Sequence, residues 1–588
     1  MKFPSLWAPL DAGTRRSRLR RRIATLVPVL ALGLGLVAAT GPQASAATSC
    51  SASYGTPSEW SGGFVGGITV TNTGSSALTG WTVTFTFGGD QKVTSAWNAT
   101  LTQSIEYVTA TSMNYNGSVA AGASTSFGFQ GTWGSSDAAP ASVTCTPGTT
   151  VTPAIVTSSA SLPVMQGFTG TFGVALSAAP SSAVTISAAR TSGNSGLSVS
   201  SGSSLTFTPA NWNTVQNVTI AADSASTGAA TFTVSATGYT AATVTPTEIA
   251  SSAPPQLHAS GNKLVDASGS QVILHGMDRS GAEYACVQGW GFFDGPVNEA
   301  SLLAMKSWTH VAAVRVPLNE ACWNGESYVN PAYAGANYIN AIKAYVSLLN
   351  ANGIVAILDL HWTDGLYTGN SSGCSSAQAT CQKPMPDAAQ AIPFWTSVAN
   401  TFKGNDAVVF DLFNEPYASR ATGSTASGWT CWLSGGTCPG IGYPVAGMQS
   451  MVNAVRSTGA NNVLMLGGEE YSNDLTDWLT YKPTDPDNNL VASWHSYNFN
   501  TCSTQSCWTS QVAPVIAAVP VIVGEIGEND CGGSYMDSLT SWLNSENTGY
   551  LAWTWDAWGS CPGVLITDYA GDATPYGAAY KAILQALP

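Results

Sequence analysis

Apolar and polar positions alternate strictly near the start of the chain: Trp81, Val83, Phe85 and Phe87 are interleaved with Thr82, Thr84 and Thr86. That period of two is what a strand with one buried face requires. Similar runs recur at 67–72 and 124–129 between Gly/Ser turns, so residues 48–146 read as a β-sandwich. Alternation returns at 205–208 and 218–220 within residues 153–250, which hold no cysteine and a single tryptophan, Trp212. These residues read as a second β-sandwich, immunoglobulin-like in type. Stretches rich in Thr, Ser and Pro at 146–153 and 245–256 read as linkers, because such composition does not pack.

From residue 257 the pattern changes. Continuous apolar runs, typical of strands buried on both faces, alternate with segments of helical period. Ile339, Ile342, Val346 and Leu349 share one helical face, and Gly353 ends it. Eight strand candidates follow, at 271–276, 311–317, 354–361, 407–413, 462–467, 490–496, 519–525 and 549–555. Eight β–α units in residues 257–588 predict a (β/α)₈ TIM barrel, whose active site lies where the strands end.

Residues 1–46 belong to none of these domains. Arg15, Arg16, Arg18 and Arg20–Arg22 precede an uncharged stretch from Ile23 to Thr40 and then Ala44-Ser45-Ala46. A basic head, an apolar middle and a small-residue cleavage site read as a signal peptide, so the protein is expected to be secreted and extracellular. That segment holds 7 of the 20 Lys/Arg and 1 of the 34 Asp/Glu, leaving −20 on the remainder. Such a charge argues against nucleic acid as a partner. No later stretch is long and apolar enough to span a membrane. The chain is expected to work as a monomer without cofactor or metal.

Twelve cysteines in an exported chain point to disulfides. Cys374/Cys381, Cys431/Cys438 and Cys502/Cys507 are close in sequence, and Cys50 and Cys145 stand at the two ends of the first module. On the barrel map Cys286 and Cys322 follow strands one and two, and Cys531 and Cys561 follow strands seven and eight, so each pair is expected to tie adjacent loops.

The strand ends carry the chemistry. They read Arg315, then Asp359-Leu-His361, Asn414-Glu415-Pro416, Trp494-His495-Ser-Tyr497, Gly524-Glu525 and Trp553-Thr-Trp555. A carboxylate closing a buried strand must face a cleft, because burying it unpaired costs several kcal/mol. Two of them from one sheet supply the proton donor and the nucleophile or base that glycosidic cleavage needs.

This combination resembles glycoside hydrolase family 5 over residues 257–588. The resemblance makes Glu415 the acid/base and Glu525 the nucleophile; the sequence pattern alone leaves the two roles interchangeable. It implies substrate contacts for Arg315, His361, Asn414, His495 and Tyr497, and a sugar-stacking face at Trp555; Trp553, which alternation otherwise places in the core, is the alternative for that face. Residues 48–146 resemble carbohydrate-binding module family 2, through Trp60-Ser-Gly-Gly-Phe64, Val70-Thr-Asn-Thr-Gly74, Ser95-Ala-Trp97-Asn-Ala99 and Gly128-Phe-Gln-Gly-Thr-Trp133. That implies a cellulose-binding face of Trp60, Trp97 and Tyr115, the last standing where the family usually has tryptophan. Residues 153–250 loosely resemble the immunoglobulin-like or Calx-β-like spacers of secreted polysaccharidases. Together these resemblances imply a secreted retaining endo-β-1,4-glucanase held on cellulose. Another β-glycanase, such as a mannanase or xyloglucanase, is the alternative, and a non-catalytic carbohydrate-binding protein on a degenerate barrel the more distant one.

Overall fold

The computed structural model describes residues 49–588 except 61, 135, 150–152, 370–374, 560 and 562. The expected signal peptide at 1–46 lies outside the described residues, as does Cys374.

The alternating runs form sheets as expected. One four-stranded antiparallel sheet has the order Cys50–Trp60, Gly63–Asn72, Ser124–Thr132, Lys92–Trp97. The facing sheet is built of Val143–Pro147, Trp81–Thr86, Tyr107–Ser112 and Ala99–Ser104. Trp81, Val83, Phe85, Phe127 and Phe129 fill the space between them. Two further sheets, of four and five strands, enclose a separate core around Phe172, Phe207, Ile220 and Phe232. The expected linker at 245–256 begins inside this unit. Residues up to Ile249 belong to the strand Ala242–Ile249, which pairs in parallel with Ser161–Met165. Its Thr-rich composition reflects one solvent-facing side of an internal strand, since Val244 is buried while Thr243 and Thr245 are not.

The remaining chain closes an eight-stranded parallel barrel. In order its strands are His275–Asp278, Ala313–Asn319, Val355–Trp362, Val408–Asp411, Leu464–Gly467, Leu490–Tyr497, Val521–Gly527 and Gly549–Ala552. All eight expected strands are present. The first starts at His275 rather than 271, because Gln271 instead bridges Val265 in a small hairpin under the barrel. The helix Ala336–Ala351 buries Ile342, Val346 and Leu349, and Gly353 beyond it takes φ +77°.

Inside the barrel, side chains change character along each strand. Ala313, Ile357 and Val409 belong to an apolar plug with Leu257, Leu264, Met465, Ile522 and Leu551. Two residues onward, on the same inward face, stand Arg315, Asp359 and Asp411. The barrel is thus apolar at its base and ionic toward its carboxyl-terminal mouth.

Candidate active site at the barrel mouth

Arg315 is fully buried and organises the mouth. Its Nε donates to Asp411 Oδ2 at 2.9 Å, and Nη1 donates to Asp278 Oδ1 at 3.0 Å and Glu525 Oε1 at 2.9 Å. Nη2 donates to Asn414 Oδ1 at 2.8 Å and lies 3.1 Å from Asp359 Oδ2. Four carboxyl groups around one guanidinium cannot all ionise cheaply in a dry interior. Burial accordingly holds Asp278 and Asp411 well above the usual carboxylate range and Asp359 at about 7, with Arg315 pulling each back down.

Glu525 reaches this hub through an irregularity in the seventh strand. Ile522 faces the lumen plug, so strict alternation would turn residue 525 outward. The register slips by one residue: Trp494 pairs with Val523, but His495 pairs with Glu525. The extra residue is Gly524, and a Cβ there would come within 2.9 Å of His495 Nε2, Met465 Cε and Ser493 Oγ. This bulge brings Glu525 into the lumen. There Tyr497 Oη donates to Glu525 Oε2 at 2.6 Å.

Glu415, whose side chain keeps 21% of its surface exposed, faces Glu525. One carboxylate oxygen from each, together with a ring nitrogen of His495, lie within 4.8 Å of one another. His495 Nδ1 is 3.0 Å from Glu415 Oε1 and 3.7 Å from Glu525 Oε2. These three groups could offer ligand atoms to a cation, but the guanidinium of Arg315 already supplies positive charge there. The Glu415 carboxyl is pushed well up, first by burial and then by the charge of Glu525. His495 is fully buried and held neutral well below the usual imidazole range. Burial likewise lowers His361 to about 3, which keeps its ring neutral, and its Nδ1 lies 2.6 Å from Asp359 Oδ2.

The loop after the fifth strand grips the Glu415 segment. Tyr471 N donates to Pro416 O, and Ser472 Oγ to Asn414 O, both at 2.8 Å. Glu470, Tyr471 and Ser472 all have positive φ, of 56°, 63° and 58°. Three consecutive non-glycine residues in that region store strain, which these bonds and the Tyr417–Tyr471 stack at 4.7 Å offset.

The cleft above has a volume of about 560 Å³. Asn414, His361, Tyr497 and the two glutamates line it, together with Tyr471, Phe499, Glu528, Asn529 and Trp553. Arg315 and His495, both fully buried, are absent from that lining, contrary to the substrate contacts expected of them, and so is Trp555. It is fully buried and packs edge-on against Trp308 at 5.0 Å, while Trp553 stacks on His361 at 5.5 Å. Residues 551, 553 and 555 share one face in a continuous strand, so alternation could not separate the two tryptophans. The ladder ends at Ala552, Trp553 lines the cleft, and Trp555 packs with Trp308 in the core outside the lumen plug. Tyr471, Phe499 and Asn529 come from loops without local sequence signals, and the reading of strand ends missed them.

On the first sandwich, Trp60 and Trp97 end opposite edge strands of one sheet. Each is 45% exposed, and each lies flat on the glycine paired with it across the ladder, Gly63 and Gly128 respectively. A Cβ would meet the Trp60 ring at 2.5 Å and the Trp97 ring at 2.3 Å. Tyr115 is 70% exposed and tied by its hydroxyl to Asn98 Oδ1 at 3.1 Å. All three aromatics are therefore solvent-facing.

Disulfides join Cys50–Cys145, Cys286–Cys322, Cys431–Cys438, Cys502–Cys507 and Cys531–Cys561. Cys381 is also disulfide-bonded. Among the described residues no helix is long and apolar enough to cross a membrane.

A closed parallel barrel with two facing carboxylates at its mouth defines the broad class of barrel enzymes that work with paired acids. Residues 265–559 match the family described as Cellulase (glycosyl hydrolase family 5), and residues 50–150 match the Cellulose binding domain family. The chain belongs to glycosyl hydrolase family 5. Chitinase 63 of Streptomyces plicatus is 49% identical over 115 residues, 19% of this chain and 19% of that protein. Endoglucanase CelA of Streptomyces lividans is 42% identical over 123 residues, 20% of this chain and 27% of that protein. The chain thus matches less than a third of the length of these curated relatives. The beta-glucanase SdGluc5_26A from Saccharophagus degradans is similar at 17% identity and TM-score 0.44, covering 57% of this chain and 94% of that one.

Proposed function

We propose that the protein is a secreted, retaining endo-β-1,4-glucanase of cellulase type, held on cellulose through residues 48–146, with residues 153–250 as a spacer and residues 257–588 as the catalytic domain. One observation carries the reading: carboxylate oxygens of Glu415 and Glu525 lie within 4.8 Å of each other, in the range of direct nucleophilic attack and short of the roughly 6.5–9.5 Å that leaves room for water to attack from the far face of the sugar.

The roles follow from the surroundings. Glu525 accepts hydrogen bonds from Arg315 and Tyr497, which hold its carboxylate in place and aim it as the nucleophile. Glu415 keeps its proton and donates it to the glycosidic oxygen as Glu525 attacks the anomeric carbon and that C–O bond breaks. Esterification removes the charge of Glu525, so Glu415 becomes a stronger acid and, now deprotonated, serves as base toward water. Water attacks the anomeric carbon, the ester breaks, and both carboxyls return to their starting states. Asn414 donates to the sugar 2-hydroxyl, and Trp553 offers its face to the ring at the cleavage point.

An open mouth supports internal cleavage. Tyr284 forms a further aromatic group on the rim with Trp290 and Trp558, each at 5.9 Å, and the latter two are half exposed. Twelve cysteines in a chain with a basic-then-apolar leader support export. The flat, exposed Trp60 and Trp97 support stacking on sugar rings, and the acidic remainder suits a neutral polymer. Glu525→Ala should abolish hydrolysis of soluble cellulose; substantial residual hydrolysis would end this assignment.

A further inference from the structure

Every main-chain carbonyl of the Asn414-Glu415-Pro416 segment is held by a side chain or loop from elsewhere. Asn414 O accepts from Ser472 and Pro416 O from Tyr471, while Glu415 O accepts from Gln382 Nε2 at 2.9 Å. Gln382 also reaches a side chain within the segment: its Oε1 accepts from Asn414 Nδ2 at 3.1 Å. No sequence motif marks Gln382, which sits in the loop after the third strand.

The orientation of these amides is forced by their neighbours. Arginine can only donate, so Asn414 must turn Oδ1 toward Arg315 and Nδ2 toward Gln382. Glu415 O and Lys383 O, at 2.9 and 3.3 Å, can only accept, so Gln382 must turn Nε2 toward them. A single donor direction therefore runs from Arg315 through Asn414 and Gln382 to the Glu415 backbone. One N–H of Asn414 is used by Gln382. The other faces the cleft, where His361 Nε2 lies at 3.5 Å, a contact long enough for a sugar hydroxyl to replace.

We propose that Gln382 is a positioning residue, which fixes the backbone of the proton donor Glu415 and the amide of Asn414 together, so that an N–H rather than an oxygen meets the sugar at the cleavage point. The inference rests on the reading of Glu415 as the acid/base. Gln382 touches no substrate itself; it acts through both partners.

The test uses the full chain on a soluble cellulose derivative, with kcat, KM, pH profile and melting temperature measured together. Gln382→Ala should lower kcat about tenfold or more with KM little changed, since small misplacements of reacting groups cost rate rather than binding. In an Asn414→Ala background the same change should cost less than it does alone, because the two act through one contact. Gln382→Glu keeps the size and the acceptor, loses the donor and adds negative charge beside Glu415. It should move the alkaline limb of kcat/KM to higher pH. If Gln382→Ala does not fold, that limb decides the matter by itself. Wild-type kcat and pH profile in the folded Gln382 variants, or losses in Gln382→Ala and Asn414→Ala that simply multiply, would overturn the inference. Glu415→Ala separates the two levels. If it remains fully active, the acid/base reading fails and this inference with it; if it is inactive while the Gln382 variants are normal, only this inference fails.

Discussion

Arg315 Nη1 donates to Glu525 Oε1 at 2.9 Å while the same guanidinium meets Asp278, Asp359 and Asp411. The nucleophile and three buried structural acids thus share one cation. Lysine offers three donors on a point charge and cannot span these partners. Arg315→Lys should therefore lose activity by about a hundredfold or more, and stability by about 3–5 kcal/mol, because it leaves buried carboxyl groups uncompensated. Rate and urea-unfolding measurements on the same preparation check both.

The bulge at Gly524 is as necessary as the side chain it turns inward. Gly524→Ala does not meet backbone strain, since φ there is not positive, but its methyl would press on His495, Met465 and Ser493. The expected outcome is a fall in kcat of about tenfold or more with the fold retained. Circular dichroism alongside kinetics separates the two effects.

Buried carboxyls away from the chemistry set the pH dependence of stability. Burial pushes Glu283 to about 8 and Glu469 to about 7. A folded pKa above the unfolded one gives stability that is complete below the unfolded value and is lost as pH rises through the folded value. The melting temperature should fall between about pH 7 and pH 9, above the range in which the buried neutral His361 and His495 oppose that trend. Glu469→Gln removes one ionisation and should flatten that slope. A melting temperature that rises across this window would contradict the assignment.

Removing the charge of Glu525 should relax Glu415. In Glu525→Gln the pKa of Glu415 should fall, since that charge is the largest cause of its elevation after burial. Carboxyl-carbon NMR titration reads this directly.

On the first sandwich, Gly128→Ala should lift the Trp97 ring from its seat and weaken binding to cellulose about as much as Trp97→Ala. Hydrolysis of soluble substrate should be unchanged, and pull-down on insoluble cellulose measures the difference. Tyr115→Trp should tighten binding, because a larger ring covers more sugar.

Much of this architecture was legible in the chain because its causes are local. Alternation in Trp81–Phe87 and the continuous apolar runs from residue 257 onward reflect one-faced and two-faced burial, and both led to the correct class of sheet. Arg315, His361, Asn414, Glu415, His495, Tyr497 and Glu525 sit at strand ends, so counting strands gathered them at one mouth. The rest depends on departures from regularity. Trp555 was misassigned because nothing in Ala552-Trp553-Thr554-Trp555 marks where the ladder stops. The inward turn of Glu525 depends on a one-residue slip between neighbouring strands, a tertiary event. Gln382 and Tyr471 reach the site from loops whose paths only the folded barrel defines. The strand reaching Ile249 reads as linker because a solvent-facing, Thr-rich strand face and an unstructured segment share a composition.

The central claim is double displacement by Glu415 and Glu525, and the configuration of the first product formed tests it most directly. Proton NMR of a soluble β-1,4-glucan digest, recorded before mutarotation, should show the β-anomer of the new reducing end appearing first. Initial appearance of the α-anomer would mean single displacement through water and would contradict the account.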